Sequence, residues 1–369
     1  MTEQRMRARD LGIRIGRLET GPLNAITDVP GVRVGQTTLI SGDGPLVVGQ
    51  GPVRTGVTMI LPHGDDPSPI FAGDHQLNGN GEMTGVAWIE EAGLLATPIG
   101  ITNTHSVGVV HDAIIAHEVK KFGNEDLAWS LPVAAETYDG WLNDINGFHV
   151  KPEHVFSAID NASDGPVEEG CLGGGTGMNC HEFKGGIGTS SRVVSEAIGG
   201  WTVGVLVQAN YGRRVLLRID GVPVGEEIGF DEVPAPWPTR RVAGSIIVII
   251  ATNAPLLPNQ CKRLAQRATV GLAKMGGIGD NGSGDLFLAV STGNRGMDPT
   301  GSFAPTPVTH FHNNAISALF EAAVEATEEA ITNALCMATT MTGVNDRVSH
   351  AIPLDRLQEV MAKYNRLRA

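Results

Sequence analysis

The sequence has few of the features that mark membrane, secreted or nucleic-acid-binding proteins. Its longest apolar run, 246–251, is far shorter than the roughly 20 residues that span a bilayer. Residues 1–9 are polar and basic with no apolar run behind them, which argues against a secretory signal. Acidic residues outnumber basic ones 40 to 27, so nonspecific nucleic-acid binding is not expected. These features predict a soluble, cytoplasmic protein without membrane or nucleic-acid partners.

Metal and cofactor motifs are also scarce. Met178 stands where a dinucleotide loop beginning at Gly173 and Gly175 needs its third glycine. His310 and His312 alternate without a nearby carboxylate, a pattern more typical of a strand or loop than of a metal site. The cysteines have neither a zinc-binding nor a redox spacing and are interpreted as free thiols: Cys171, Cys180, Cys261 and Cys336. No metal site is predicted.

Glycine is what the sequence has in excess, with 48 among 369 residues, about twice the usual share. Because there is no Gly-X-Y period, the glycines must mark tight turns and close approaches in a folded protein. Strand and helix patterns are mixed, which indicates one α/β or α+β body. The patterns predict helices over 83–95, 111–122, 258–274, 316–337 and 355–367, strands over 56–61, 201–208 and 246–250, and a hairpin of 215–219 with 222–224.

A proline-rich, acidic segment, 226–239, precedes the most apolar strand of the chain. Its prolines remove backbone donors, which predicts an exposed, extended connector. The connector leads to Gly244 and Ser245, and a run of β-branched residues follows at once. This run predicts a central strand that is buried on both faces.

Ser245 is placed for N-terminal-nucleophile chemistry. Its hydroxyl can attack the preceding carbonyl, and Gly244 tolerates strained geometry without crowding that carbonyl. Cleavage would free an α-amine, with a reference pKa of about 7.7–8.0, beside the hydroxyl of the same residue. Base and nucleophile would then come from one residue. Gly-Ser is also a common turn before a strand, so these two residues alone leave both interpretations open.

Several longer segments resemble, in order, those of the DmpA-type aminopeptidases, the family of L-aminopeptidase/D-esterases and β-peptidyl aminopeptidases. The segment 244–256 resembles the family's autocleavage junction, and 102–108, 132–140 and 185–191 resemble other family segments. The resemblance covers nearly the whole chain. It implies a single catalytic domain, 1–369, that cuts itself into an α chain, 1–244, and a β chain, 245–369.

The resemblance implies roles for residues around the cut. Ser245, which opens the β chain, is the nucleophile. Ser283 and Asp285 match a serine and an acid that stand two residues apart in the family, where some relatives have glutamate at the acid position. Asn210 matches the donor that stabilises the oxyanion. Either the α-amine of Ser245 or Ser283, held by Asp285, is expected to take the proton.

Two further matches lie in the implied substrate pocket. Glu136 and Tyr138 correspond to an acid and a tyrosine of the family. A carboxylate is the expected partner of a substrate ammonium, which favours an aminopeptidase over an endopeptidase. The implied activity is release of N-terminal residues from small peptides, amides or esters, with L-α-, D- and β-residues all open.

The family fold is a four-layer αββα sandwich, Ntn-hydrolase-like and similar to that of ornithine acetyltransferase. Family members form oligomers, usually tetramers of processed αβ units, and no metal or organic cofactor is implied. Two alternatives stay open. One is an acyltransferase like ornithine acetyltransferase, which uses threonine where this chain has Ser245. The other is an unprocessed, non-enzymatic relative that binds peptides or amines.

Overall fold

The computed structural model describes residues 4–64, 66, 68–122, 129–237, 244–297 and 305–368. Its strands are β1 Arg33–Ser41, β2 Val53–Leu61, β3 Ile70–Gly79, β4 Leu94–Leu95, β5 Ile99–Asn103, β6 Val133–Thr137, β7 Asn179–Cys180, β8 Phe183–Lys184, β9 Gly186–Val193, β10 Thr202–Asn210, β11 Ser245–Thr252, β12 Gly284–Ser291, β13 Met341–Thr342 and β14 Val348–Ser349. A six-stranded sheet has the order β4-β3-β12-β11-β10-β9, and a four-stranded sheet has the order β1-β2-β5-β6.

Seven α-helices lie within the same residues, and four of them cover the outer faces of these sheets. The seven are α1 Val86–Ala92, α2 Val107–Phe122, α3 Pro152–Asp160, α4 Val224–Glu227, α5 Pro258–Lys274, α6 Ile316–Met337 and α7 Leu354–Lys363. Helices α5 and α6 pack on the six-stranded sheet, and α2 and α3 pack on the four-stranded sheet. The two sheets face each other across a core that includes Ile60, Ile101, Ile249 and Leu288. The order of layers is therefore α, β, β, α, as the family resemblance implies.

Strand β11 lies in the middle of the six-stranded sheet and is buried on both faces. Ile246, Val248 and Ile250 face the core under the helices, whereas Ile247 and Ile249 face the core between the sheets. Side chains alternate across a strand, so a strand between two apolar layers must be apolar throughout. The predicted central strand is confirmed.

Helix ends follow the local chemistry. Helix α5 begins at Pro258, where a missing N–H costs nothing, and Gly276 follows its end with a φ of +89°. The predicted bounds of α5 and α6 are confirmed. The helix predicted over 83–95 is shorter, because Gly93 takes a left-handed φ of +71° and caps α1, so the chain continues as β4.

Two expectations between β10 and β11 are wrong. The hairpin of 215–219 with 222–224 is absent from the described residues, because Arg214–Leu216 forms a 3-10 turn and Val224–Glu227 forms α4, leaving one bridge from Ile219 to Val222. The connector is exposed only in part, at 226, 230–232 and 234, and it is not extended throughout its described part. It starts inside α4, and Val233 and Pro236 are buried. Residues 238 and 239 lie outside the described residues.

Candidate active site

Ser245 lies where three strands end together. It is the first residue of β11, and its Cα pairs with that of Asn210, the last residue of β10. On the other side, β12 begins at Gly284, whose backbone N–H donates a hydrogen bond of 3.1 Å to Ser245 Oγ. A Cβ at position 244 would lie 2.5 Å from the Asn210 carbonyl oxygen, so the residue before Ser245 must be glycine. The strand register therefore fixes the hydroxyl beside the proposed scissile bond.

Ser283 and Asp285 flank Gly284 and form a hydrogen-bonded pair. Ser283 Oγ donates to Asp285 Oδ1 at 2.5 Å, and Asn78 Nδ2 donates to Oδ2 at 3.2 Å. Ser283 and Asp285 are buried, and burial raises the pKa of Asp285, whereas these two hydrogen bonds lower it. Aspartate therefore reaches Ser283 although it is one methylene shorter than the glutamate of some relatives.

Asn210 has an amide group whose orientation is fixed at both ends. Its Oδ1 accepts a hydrogen bond of 2.8 Å from the backbone N–H of Asn179, and its Nδ2 donates to the Tyr138 carbonyl oxygen at 3.0 Å. An amide nitrogen carries two hydrogens, so one remains to be donated. Asn210 also lines the same cavity as Ser245. It is therefore arranged as a donor for negative charge that develops near Ser245.

Glu136 is a buried carboxylate on β6, in the four-stranded sheet. Oε1 accepts a hydrogen bond of 3.0 Å from the backbone N–H of Glu82, and Oε2 accepts one from Thr104 Oγ1. Burial raises the pKa of Glu136, whereas these two hydrogen bonds lower it. Each carboxylate oxygen keeps a further acceptor position. The arrangement suits a cationic ligand with several N–H donors, such as a primary ammonium.

One cavity of about 600 Å³ joins these groups. Ser245, Asn210 and Glu136 line it, with the aromatic side chains of Tyr138 and Trp237. Its volume is within the range of small-molecule sites. Ser283 and Asp285 line a separate, water-sized cavity of about 20 Å³ that shares Gly244 with the first. Ser245, Asn210 and Glu136 thus line one cavity, and the Ser283–Asp285 pair lines the adjoining one.

The structure brings Ser245, Asn210, Glu136 and Tyr138 to one cavity, and Ser283 and Asp285 to the adjoining one. Their roles stay predictions, but their proximity is a property of the fold. Sequence reasoning missed Thr104 and Asn78, which contact the two carboxylates, and Asn179, which holds Asn210. Thr104 falls inside the family-like segment 102–108, so a signal was available for it; nothing in the sequence singles out the other two.

Residues without a place in this site have ordinary structural positions. His312 caps a short helix, because its Nδ1 accepts a hydrogen bond of 3.2 Å from the backbone N–H of Asn314. In the part of the chain that the structure describes, no three His, Cys, Asp or Glu side chains come close enough to hold a metal ion. No helix among those residues is long and apolar enough to cross a bilayer.

Comparisons with known proteins identify the family and the fold of this chain. Residues 24–349 match the model of peptidase family S58. The chain is 51% identical over 376 residues to the β-peptidyl aminopeptidase BapA of Sphingosinicella microcystinivorans, covering 98% of this chain and 93% of BapA.

Two solved structures share the fold. A β-aminopeptidase of Burkholderia sp. has 53% identity and a TM-score of 0.90, over 97% of this chain and 99% of its own. The L-aminopeptidase D-Ala-esterase/amidase of Ochrobactrum anthropi, described as a prototype serine aminopeptidase with a variant of the Ntn hydrolase fold, has 45% identity and a TM-score of 0.88, over 98% and 99%. The expected family, fold class and hydrolase activity are confirmed. The chain belongs to peptidase family S58, and it is an aminopeptidase with an Ntn-hydrolase-like fold.

Proposed function

We propose that this chain cuts itself between Gly244 and Ser245 and then acts as a β-peptidyl aminopeptidase with Ser245 as nucleophile. The observation that carries the proposal is that Ser245, Asn210 and Glu136 line one cavity. An aminopeptidase needs three groups that can all contact the N-terminal residue of the substrate: a nucleophile, an oxyanion donor and an ammonium acceptor. The preference for β-residues rests on the names of the two relatives with 51% and 53% identity.

Self-cleavage would begin with attack of Ser245 Oγ on the Gly244 carbonyl carbon. The C–N bond to Ser245 breaks as an ester forms, and the departing nitrogen takes up the proton that the hydroxyl loses. Water then hydrolyses the ester, which leaves a carboxylate on Gly244 and a free α-amine on Ser245. The hydrogen bond from the Gly284 N–H to Oγ supports this step, because it orients the hydroxyl before the amine exists.

Peptide hydrolysis would reuse the same atoms. Glu136 binds the substrate's N-terminal ammonium, and Ser245 Oγ attacks the carbonyl of that residue. The α-amine of Ser245 takes the hydroxyl proton and gives it to the leaving amine. In the alternative, Ser283 takes that proton as it passes its own to Asp285, and the two transfers reverse when the amine leaves. Asn210 Nδ2 stabilises the oxyanion. Water hydrolyses the acyl-enzyme and releases the N-terminal residue.

Mass spectrometry under denaturing conditions tests the first half of the proposal. Purified protein should give two fragments, 1–244 and 245–369. A chain that stays intact after long incubation, and that hydrolyses nothing, would leave only a non-enzymatic binding role. Ser291→Ala is the matched control for Ser245→Ala. It removes a buried hydroxyl at the other end of β12, where Ser291 Oγ donates to the Ala254 carbonyl. It should be cleaved like the wild type.

Aminoacyl p-nitroanilides test the second half. We expect higher kcat/KM for β-alanyl p-nitroanilide than for the L-alanyl and D-alanyl compounds. Equal kcat/KM values, or a preference for an α-residue, would contradict the assignment to β-residues but not the aminopeptidase activity. An added amine acceptor separates hydrolysis from transfer, because an acyltransferase would give mainly the transfer product.

We further propose that the processed protein acts in the cytoplasm, as its composition indicates, and forms a tetramer of αβ units, as the family resemblance implies. Size-exclusion chromatography with light scattering gives the assembly mass directly. A monomeric αβ unit would contradict the tetramer without touching the chemistry.

A further inference from the structure

The segment 102–108 contains a residue that the proposed mechanism leaves unused. Thr104 lines the active-site cavity and donates a hydrogen bond to Glu136 Oε2. The bond joins residues that are 32 positions apart in the chain, so it depends on the fold. The bond therefore acts on the Glu136 carboxylate, which is buried in the cavity wall.

Strand pairing puts Thr104 next to Glu136. Strands β5 and β6 run parallel, with Thr102 paired to Glu136 and Asn103 to Thr137. Thr104 follows β5 immediately, so its side chain stands beside the last residues of β6. Because the two strands share a hydrogen-bonded ladder, the distance between the two side chains is set by backbone.

The turn that carries Thr104 is held by its neighbour Asn103. Asn103 Oδ1 accepts a hydrogen bond of 3.0 Å from the His105 backbone N–H, and Asn103 Nδ2 donates to Thr55 Oγ1 at 2.7 Å. Both bonds fix the backbone around Thr104. A β-branched side chain has few rotamers on a fixed backbone, so the hydroxyl has little freedom to leave Glu136.

The Glu136 carboxylate would otherwise be free to turn. Its terminal torsion is broad in proteins, and the Glu82 N–H fixes only Oε1. The Thr104 hydroxyl fixes Oε2, so the plane of the carboxylate is set by two donors. The same bond favours the ionised form against burial. The neighbouring Glu82 carboxylate disfavours the ionised form, whereas His105 favours it.

We propose that Thr104 is a positioning residue for substrate binding, whose hydroxyl holds the Glu136 carboxylate ionised and turned toward the N-terminal ammonium of the substrate. The proposal rests on the proposed role of Glu136. It makes recognition of the amine depend on an intact Thr104–Glu136 bond. The step that Ser245 performs lies on the other sheet and does not use that bond.

Four variants test this inference with β-alanyl p-nitroanilide as substrate. Thr104→Val removes the hydroxyl and keeps the shape, and Thr104→Ser restores a hydroxyl. Thr102→Val is the matched control, because Thr102 lies on the same strand and its hydroxyl donates to the Gly56 carbonyl instead. Glu136→Gln measures the full loss of the carboxylate. Mass spectrometry confirms cleavage of each variant, and thermal melting confirms folding.

Thr104→Val should raise KM about tenfold, as expected for loss of a hydrogen bond to a charged group, with kcat within about threefold of wild type. Its KM should also rise at a higher pH than in the wild type as the solution is made acidic, because Glu136 loses a bond that favours its ionised form. Thr104→Ser should return both values close to wild type. A merely structural role for Thr104 would lower the melting temperature without this split between KM and kcat.

The two possible failures are distinguishable. If Glu136→Gln raises KM and Thr104→Val does not, the positioning role is wrong and the amine-binding role stands. If Glu136→Gln leaves KM unchanged, the amine-binding role itself is wrong, and with it the inference. If Thr104→Val does not fold, KM and kcat of Thr104→Ala are compared with those of Thr104→Ser. Equal KM values for these two variants would overturn the inference.

Discussion

The two sheets of the sandwich supply different parts of the active site and position them by different means. The six-stranded sheet carries Ser245, Asn210, Ser283 and Asp285, at the ends of adjacent, hydrogen-bonded strands. The four-stranded sheet carries Glu136, whose carboxylate is held by donors that come from outside its own strand. Strand register thus places the reacting groups together at the edge of one sheet, whereas the recognition group lies on the other sheet and its carboxylate is oriented by two donors.

This difference separates two kinds of kinetic effect. A change on the six-stranded side should act on bond-making steps, and therefore on kcat and on self-cleavage. A change on the four-stranded side should act on substrate binding, and therefore on KM. Self-cleavage involves no ammonium, so changes on the four-stranded side should leave its rate unchanged. The following variants test this division between the two sheets.

Ser245→Ala should have the largest effect, because it removes the proposed nucleophile of both reactions. We expect a single unprocessed chain and no measurable hydrolysis of β-alanyl p-nitroanilide. Intact-mass measurement after incubation checks the first outcome, and product release checks the second. A variant that still splits between residues 244 and 245 would rule out the proposed mechanism.

Asn210→Ala should lower kcat by about 10²–10³, the usual loss for one oxyanion donor. KM should change little, since Asn210 is proposed to act as charge develops. Asn294→Ala is the matched control, because its amide exchanges hydrogen bonds with the Thr309 backbone at the other end of β12. A rise in KM with unchanged kcat would place Asn210 on the recognition side and break the division.

The same division explains what the sequence could predict. The nucleophile side was readable, because an apolar, β-branched run after Gly244 can only be a buried strand, and Pro258 and Gly276 mark the ends of the next helix. The hydroxyl–carboxylate pair of Ser283 and Asp285 is local, since two residues separate them. Local signals therefore predicted the strand and the helix, whereas the pair followed from the family resemblance.

The recognition side was readable only in part. Glu136 followed from resemblance, but its partners Thr104 and Glu82 are 32 and 54 residues away. Parallel pairing of β5 and β6 brings them together, and single-sequence patterns do not report which strands pair. The segment 215–224 failed for a related reason. Its apolar alternation suits a hairpin, yet Val224–Glu227 forms α4, and a Cβ at position 225 would clash with the Arg214 carbonyl oxygen.

Glu136→Gln should raise KM at least tenfold, because a neutral amide replaces the anion that faces the substrate ammonium. Self-cleavage should go to completion at the wild-type rate. Glu82→Gln is the local comparison. It keeps the backbone N–H that holds Glu136, so its KM should rise less. Slow or absent processing of Glu136→Gln would show that the four-stranded side takes part in bond cleavage.

The pH dependence of KM should follow the ionisation of Glu136. Burial raises the pKa of this carboxyl group, so it becomes protonated at a higher pH than an exposed glutamate does as the solution is acidified. The substrate amine stays charged throughout this range, so KM should rise as pH falls. Steady-state kinetics from neutral to mildly acidic pH measure the effect. In Glu136→Gln the rise should be absent, and an equal rise there would assign it to another group.

Tyr138→Phe should have the smallest effect, although Tyr138 lines the cavity between the two sides. Its side chain is 43% exposed, whereas its backbone carbonyl accepts the hydrogen bond from Asn210 Nδ2. Any residue at this position supplies that carbonyl, so the variant keeps the oxyanion donor in place. We expect kcat and KM within about fivefold of wild type, the usual range for one partly exposed hydrogen bond. A loss of kcat comparable to that of Asn210→Ala would mean that the phenol itself contacts the reacting atoms. Tyr138 would then take part in the bond-making steps as well as in substrate binding.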